Sequence, residues 1–172
     1  MHHVSLDEPI EIVDYDPHSP ARFRGERDRL RIALATASLW YEHIGSSAVP
    51  GLAGKPIIDI MLGAPPAAWA AVEELRPRIV ALGYEDLGEA GVSGRFAFRR
   101  RTLRSYNLAL VAADGEHWRN NLALRDYLRA HPADASAYAA AKREAVASGA
   151  TTLLAYSEKK APAIAALLRK AL

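Results

Sequence analysis

One apolar segment constrains the fold of this chain more than any other feature of its sequence. Residues 56–62 form a nearly continuous apolar run that carries a single charge, Asp59. Such a run is typical of a central strand that is buried on both faces. An ionised carboxylate between Ile58 and Ile60 is costly to bury unless it is paired or bound to a metal. We therefore expect helices on both sides of a sheet, and a functional or ion-paired role for Asp59.

Strand-like and helix-like segments are mixed up to residue 112, and the rest of the chain is helical in pattern. Segments 95–100 and 105–112 are predicted to pair as a hairpin because about four residues join them. Three helices are expected after residue 114, with a break at His131 and Pro132. This order predicts an α+β fold, in which a mixed β-sheet is flanked by helices and carries a helical C-terminal layer.

Three local features before the hairpin give sharper expectations. The β-branched segment 10–13 is predicted to be a short strand. Ser19 is predicted to cap a helix over residues 21–38, because a serine before a proline suits a helix start. Pro77 is predicted to kink or split a helix over residues 67–82.

Composition excludes several classes of protein. The 172 residues include no cysteine, which removes disulfides, thiolate metal sites and a cysteine nucleophile. A net charge of +2 lies far below that of a dedicated nucleic-acid binder. No apolar run approaches the ~20 residues that a bilayer requires, and the first nine residues do not resemble a signal peptide. We expect a cytoplasmic protein with no membrane segment, and nothing in the pattern specifies an oligomeric state.

The segment 43–60, HIGSSAVPGLAGKPIIDI, carries the strongest functional signal. Glycine at position 45 lets a phosphate approach the main chain, and the hydroxyl groups of Ser46 and Ser47 can donate hydrogen bonds to it. Lys55 adds a positive charge, and Asp59 could hold Mg²⁺. This layout suits phosphoryl or nucleotidyl chemistry. The alternative is that the glycines and prolines only mark turns between two strands.

These residues resemble the hallmark of the GrpB family, approximately H-I-G-S-T-(S/A)-V-P-G-L-x-x-K-P-(I/V)-I-D, with Ser47 in place of the usual threonine. Residues 124–129, L-R-D-Y-L-R, resemble a second family segment, and Tyr138 with Lys142 also fits. The resemblance implies a single GrpB-like domain over residues 1–172. Since GrpB proteins are similar to the nucleotidyltransferase superfamily, it also implies a nucleotidyltransferase-like sheet.

On this resemblance Gly45 and Ser46 would hold a triphosphate, and Asp59 would be catalytic and the first metal ligand. The family comparison also implies a second carboxylate two residues later, where this chain has Met61. The H-H-L-H pattern that GrpB proteins often carry on a later strand is replaced by Tyr106, Asn107 and Ala109 at its three histidines. The metal site is therefore degenerate and Mg²⁺ weakly supported, while Asn107 can still bind a ligand by hydrogen bonds.

Other candidates have two interpretations each. Arg99 and Arg101 are predicted to share a face with Arg95 and to clamp an anion, or to protect a solvated hairpin edge. Arg125 is a ligand-binding candidate, although ion pairs with the sheet would also explain it and Arg129. His43 is either a general base or an ordinary hydrogen-bonded histidine.

Lys142 shares a helix face with Tyr138 and either reaches an anionic ligand or lies across the tyrosine ring. The leading hypothesis is a transferase, or a former one, of nucleotidyltransferase fold that binds a nucleotide or another anionic small molecule. If metal chemistry is lost, His43 could act as the base, with the loop N–H groups as an oxyanion site. The alternative is a non-catalytic ligand-binding or protein-interaction module. RNA binding is the weakest hypothesis, because the arginines cluster only around the hairpin.

Overall fold

The computed structural model describes residues 5–35 and 37–172. The first four residues, which begin the segment compared with a signal peptide, lie outside the described residues. So does Thr36, one position of the helix expected over 21–38.

Within the described residues, five strands form one mixed sheet. Their bounds are β1 Trp40–Ile44, β2 Ile57–Ala64, β3 Glu85–Asp86, β4 Arg95–Arg101 and β5 Ser105–Ala112. The strand order is β1-β2-β5-β4-β3, in which β2 and β5 are parallel and every other pair is antiparallel. The predicted hairpin is the β4–β5 pair. The apolar run of residues 56–62 forms the interior strand β2, as its composition indicated.

Helices cover both faces of this sheet. Their bounds are α1 Ser19–Ala33, α2 Pro66–Ala70, α3 Val72–Val80, α4 Glu116–Ala130, α5 Pro132–Ala147 and α6 Leu153–Ala171. The first three contribute to the main core, where Leu30 and Ile79 pack with Leu62 of β2. On the opposite face Trp118 of α4 packs against Met61. The α+β class, the mixed sheet and the helical C-terminal part are thus confirmed. Among the described residues, no helix has the length and apolar character needed to cross a bilayer.

The alternation of side chains along β2 separates two environments. Ile58, Ile60 and Leu62 lie in the core with α1 and α3, so Asp59 and Met61 project toward the C-terminal helices. Asp59 is in register with Ile44 on β1 and with Asn107 on β5. These three residues therefore form one row across the sheet, on the face that α4 covers.

Three local expectations are wrong in detail. Residues 10–13 do not form a strand of the sheet, because Val13 bridges Gly54 of the loop before β2 instead. Ser19 is the first residue of α1, and His18 precedes the helix without a side-chain cap. Pro77 lies inside α3, and the break between α2 and α3 falls earlier, at Ala71, whose backbone leaves helical geometry.

Candidate functional site

A cleft of about 410 Å³ lies between the sheet and the C-terminal helices. Its base is formed by the loop after β1, through Gly45 and Ser46, and by Asp59 of β2. Tyr138 of α5 and Tyr156 of α6 belong to its wall. The structure thus brings together the loop and the strand aspartate, which the sequence placed in one motif, and adds helices from the end of the chain.

Asp59 is held by a short polar chain across the sheet. Asn107 Nδ2 donates to Asp59 Oδ1 over 2.9 Å, and Arg101 Nη2 donates to Asn107 Oδ1 over 2.8 Å. A carboxylate only accepts and a guanidinium only donates, so these two hydrogen bonds fix the orientation of the Asn107 amide. Asn107 therefore positions Asp59, and Arg101 positions Asn107.

Gly45 is the residue at which the main chain comes closest to this carboxylate. Its φ of 72° and ψ of −170° lie in a region that side chains other than glycine rarely adopt. A Cβ atom built on Gly45 would lie 2.6 Å from Asp59 Oδ2. Only glycine lets the loop pass beside Asp59, so the glycine in the motif is required by contact as well as by the turn.

Ser46 is held by a lysine that is 96 positions away in sequence. Lys142 Nζ donates to Ser46 Oγ, and it also lies 4.6 Å from the centre of the Tyr138 ring. Lys142 is only 1% exposed. Lys142 therefore lies across the tyrosine ring, as one interpretation predicted, and it also bonds to the glycine-serine loop. Its contact with an anionic ligand stays a prediction.

The cleft contains more positive than negative charge. One carboxylate, that of Asp59, lies among the described lining residues, together with four cations: Lys55, Arg95, Arg125 and Lys160. Lys160 Nζ lies 4.8 Å from the centre of the Tyr156 ring. Within residues 5–35 and 37–172, Lys55 and Lys160 have no hydrogen-bond or ion-pair partner. An excess of unpaired cations around a concave site favours an anionic ligand.

Burial alters the protonation of two of these lysines. Burial, together with the nearby charge of Lys160, lowers the pKa of Lys142 to about 7. Burial likewise lowers the pKa of Lys160 to about 8, with a contribution from Lys55. Burial raises the pKa of Tyr138 to about 12, and the Asp59 charge adds to this shift. Burial raises the pKa of Tyr156 as well, so Tyr138 and Tyr156 are neutral near pH 7. An anion that enters the cleft would stabilise the protonated form of each lysine and raise its pKa.

His43 and Ser47 lie on the other face of the sheet. His43 Nε2 and Ser47 Oγ are 2.8 Å apart, and the imidazole stacks on Phe23 of α1 with ring centres separated by 4.8 Å. Burial lowers the pKa of His43 to about 4, and Arg129 and Arg125 add to the effect. Since His43 alternates with Ile44 on β1, the structure does not bring its side chain together with Asp59.

Three arginines predicted as anion ligands are already paired. Arg99 donates to Glu85, and Arg101 donates to Glu8. The guanidinium of Arg125 donates to Glu42 of β1 and to Asp126 on its own helix. These contacts favour the ion-paired interpretation of Arg125, which still borders the cleft. For Arg99 and Arg101, anion binding and protection of the hairpin edge both stay predictions.

The residues at the site do not fit a Mg²⁺ ion held by protein ligands. In the described part of the chain there is no group of three or more His, Cys, Asp or Glu side chains that could hold a metal. Met61, two residues after Asp59, is fully buried against Ile44 and Val111 in an apolar cluster. Magnesium prefers oxygen ligands, and here the neighbours of Asp59 are an amide, an apolar cluster and several cations.

Sequence reasoning did not select Lys160 or Tyr156 as site residues, and it considered Arg95 only as a member of the arginine face of the hairpin. One signal could have found the first two: the spacing Tyr138-x3-Lys142 recurs as Tyr156-x3-Lys160. Residues four apart on a helix share a face, and in both cases the ammonium group lies over the ring. Arg95 belonged to the predicted arginine face of the hairpin, but the fold decides that it lines the same cleft as Asp59.

Comparison with known proteins gives one consistent result. The family model described as GrpB protein matches residues 9–170. The UPF0157 protein PA4798 of Pseudomonas aeruginosa is 36% identical over 96% of this chain and 69% of its own length. The UPF0157 protein YqkA of Bacillus subtilis is 30% identical over 92% of this chain, which spans 46% of that relative. The crystal structure of conserved protein GrpB from Enterococcus faecalis has a TM-score of 0.83 and 30% identity, covering 94% of this chain and 96% of that one.

Proposed function

Because the chain belongs to the GrpB family, we propose that its cleft binds a nucleotide or another phosphorylated small molecule and takes part in transfer of a group from it. The observation that carries this proposal is the unpaired positive charge of Lys55 and Lys160 around the glycine-serine loop. The similarity of GrpB proteins to nucleotidyltransferases, and a nucleotidyltransferase-like fold for this sheet, belong to the same proposal.

The loop and the helices have separate roles in holding a phosphate group. Gly45 brings the loop past Asp59 into the cleft, and Ser46 presents its hydroxyl group to a phosphate oxygen there. Lys55 reaches the ligand from the loop side, and Lys160 reaches it from α6. Lys142 orients the Ser46 hydroxyl group and, once protonated, also attracts the phosphate by its charge. Each charge-assisted hydrogen bond of this kind contributes about 1.5–3 kcal/mol to binding.

Asp59 is the group that acts on the acceptor in the proposed transfer. An acceptor hydroxyl group beside Asp59 attacks phosphorus and forms the new P–O bond, while the bond to the leaving phosphate breaks. The hydroxyl proton passes to Asp59, and the lysines stabilise the charge on the departing phosphate oxygens. His43 is given no role in this step, because its side chain lies on the other face of the sheet.

Isothermal titration calorimetry with pyrophosphate, ATP, GTP and CTP tests the binding step, with Mg²⁺ and with EDTA. We expect Lys160→Gln to weaken pyrophosphate binding by roughly 10- to 100-fold, which corresponds to the loss of one charged hydrogen bond. Lys159→Gln is the matched control, because Lys159 is an exposed neighbour on α6 that bonds to Ser148. It should leave the affinity unchanged.

Three results would each contradict part of the proposal. Absence of pyrophosphate and nucleotide binding in both EDTA and Mg²⁺ would refute the anion site itself. Equal losses of affinity in Lys160→Gln and Lys159→Gln would show that binding reflects general surface charge. Binding that is retained in Asp59→Asn, without any group transfer by the wild-type protein, would refute the transfer step and leave a binding module.

A further inference from the structure

A second cavity of about 440 Å³ adjoins the cationic cleft. The two spaces share five lining residues, Ile44, Asp59, Arg95, Asn121 and Ser157. Beyond this junction the character of the wall changes, since much of the second cavity is lined by aliphatic side chains such as Leu87, Val92, Ala97 and Leu153. We refer to this second space as the apolar chamber.

Arg95 lies at the junction and lacks a partner for part of its guanidinium group. Its Nε is buried with no hydrogen-bond partner among the described residues. Its Nη2 makes only long contacts, 3.4 Å to Glu89 O and 3.5 Å to Ala90 O. Buried polar groups are normally bonded, so the unpartnered Nε of Arg95, between two cavities, is available to donate to a ligand oxygen.

The loop between β3 and β4 holds the chamber in shape from one side. Gly88 N donates to Asp86 Oδ1 and Gly94 N donates to Glu89 Oε1, each over 2.8 Å. Ala90 within this loop has a φ of 48°, which is uncommon for alanine. Ala90 and Val92 of this loop line the chamber. The aliphatic wall is therefore formed by a loop that hydrogen bonds hold in place, as well as by the sheet.

We propose that the ligand of this site is an amphipathic phosphate ester, with its phosphate in the cationic cleft, an oxygen on Arg95 and an apolar body in the apolar chamber. This inference rests on the proposed function and adds the class of compound to it. The occupant follows from continuity, because the chamber opens onto the same Asp59 and Arg95 that border the phosphate site. The chamber volume lies in the range of roughly 300–1,000 Å³ that is typical of small-molecule sites.

The test compares 1-naphthyl phosphate with inorganic phosphate by isothermal titration calorimetry on the full chain. Both carry the same anionic group, and binding energy grows with the apolar area that is removed from water. We expect the dissociation constant of 1-naphthyl phosphate to be lower than that of inorganic phosphate by roughly tenfold or more. Arg95→Gln should weaken both ligands by roughly tenfold or more.

Filling the apolar chamber should remove only the gain from the naphthyl group. Ala97→Leu places added atoms in the chamber from β4. Val92→Phe does so from the loop between β3 and β4, and it replaces Ala97→Leu in the test if that strand variant is unstable. Ala130→Leu adds the same bulk at the exposed end of α4 and serves as the control. Urea unfolding of each variant checks that it is folded before titration.

Each outcome separates this inference from the proposed function. Equal affinity for the two phosphates, or a naphthyl gain that survives both chamber variants, overturns the amphipathic ligand while leaving the phosphate site in place. Failure of both phosphates to bind the wild-type protein overturns the phosphate site and this inference together. A naphthyl gain that is lost in both chamber variants and kept in Ala130→Leu supports it.

Discussion

Replacement of Gly45 by alanine tests the closest approach in the site. The φ of 72° at Gly45 strains any residue with a Cβ atom, at a cost of about 1–3 kcal/mol. The new Cβ would also lie 2.6 Å from Asp59 Oδ2 and 3.2 Å from Asp59 Cβ, and overpacking of this kind costs about 1–3 kcal/mol. Gly45→Ala should therefore lower the free energy of unfolding by roughly 2–5 kcal/mol, and the melting temperature by about 5–15 °C.

Gly51→Ala is the matched control for the backbone term. Gly51 has a φ of 79°, close to that of Gly45, and a Cβ built on it meets no heavy atom within 4 Å. Its substitution should lower stability only by the conformational strain. The difference between the two variants in urea unfolding, followed by circular dichroism, isolates the contact between the loop and Asp59.

A double-variant cycle identifies the atom responsible. Removing the carboxylate with Asp59→Ala should relieve most of the strain of Gly45→Ala, giving a coupling free energy of at least about 1 kcal/mol. The reasoning would be refuted if Gly45→Ala were no more destabilising than Gly51→Ala, or if the effects of Gly45→Ala and Asp59→Ala were additive.

Three further predictions concern buried charges. Glu26→Gln should lower stability by about 3–5 kcal/mol, because the Glu26 carboxylate, 5% exposed, accepts hydrogen bonds from Arg29, Arg100 and the Tyr84 hydroxyl group. His43 binds a proton in the unfolded chain below about pH 6.5 but in the folded chain only near pH 4. Wild-type stability should therefore fall from pH 6.5 to pH 4, and His43→Leu should flatten this fall. The folded-state pKa of Lys142 is about 7 and the unfolded-state pKa about 10.4, so stability should rise between these values and Lys142→Met should flatten the rise.

Urea unfolding at a series of pH values measures all three, and each has its own contradictory result. A change below about 1 kcal/mol in Glu26→Gln would show that the arginines find other partners. A pH profile of His43→Leu parallel to that of the wild type would show that His43 is protonated in both states alike. A profile of Lys142→Met that keeps the full rise above pH 7 would assign that rise to Lys160 or to other groups.

The general architecture was predictable because it depends on local periodicity. The continuous apolar run of β2 identified a buried strand, and the helical spacing after residue 114 identified the C-terminal helices. The same periodicity explains where interpretation was incomplete. Glu26 is a charged residue of α1, yet Arg29, Arg100 and Tyr84 bind its carboxylate where it is buried. A helix pattern cannot show that another element supplies partners for a charge.

The chemical partners of Asp59 show the same division. The sequence showed that a lone aspartate in an apolar strand requires a partner, but not which one. The parallel pairing of β2 with β5 supplies Asn107, 48 positions away. The interpretation of His43 depended on its place in the motif, and strand alternation directs it away from Asp59. Adjacent positions in a motif need not share a face when the motif begins on a strand.

What the sequence determined by itself is the set of groups available to this protein: a glycine-serine loop, a strand aspartate, lysines spaced four residues after tyrosines, and no cysteine. The tertiary structure decided which of these groups meet. Lys142 reaches Ser46 across 96 residues, while Arg99 and Arg101 are paired with acidic side chains. The reason is physical, because local sequence sets the face on which a side chain lies, whereas the order of strands and the docking of helices determine the charges opposite it.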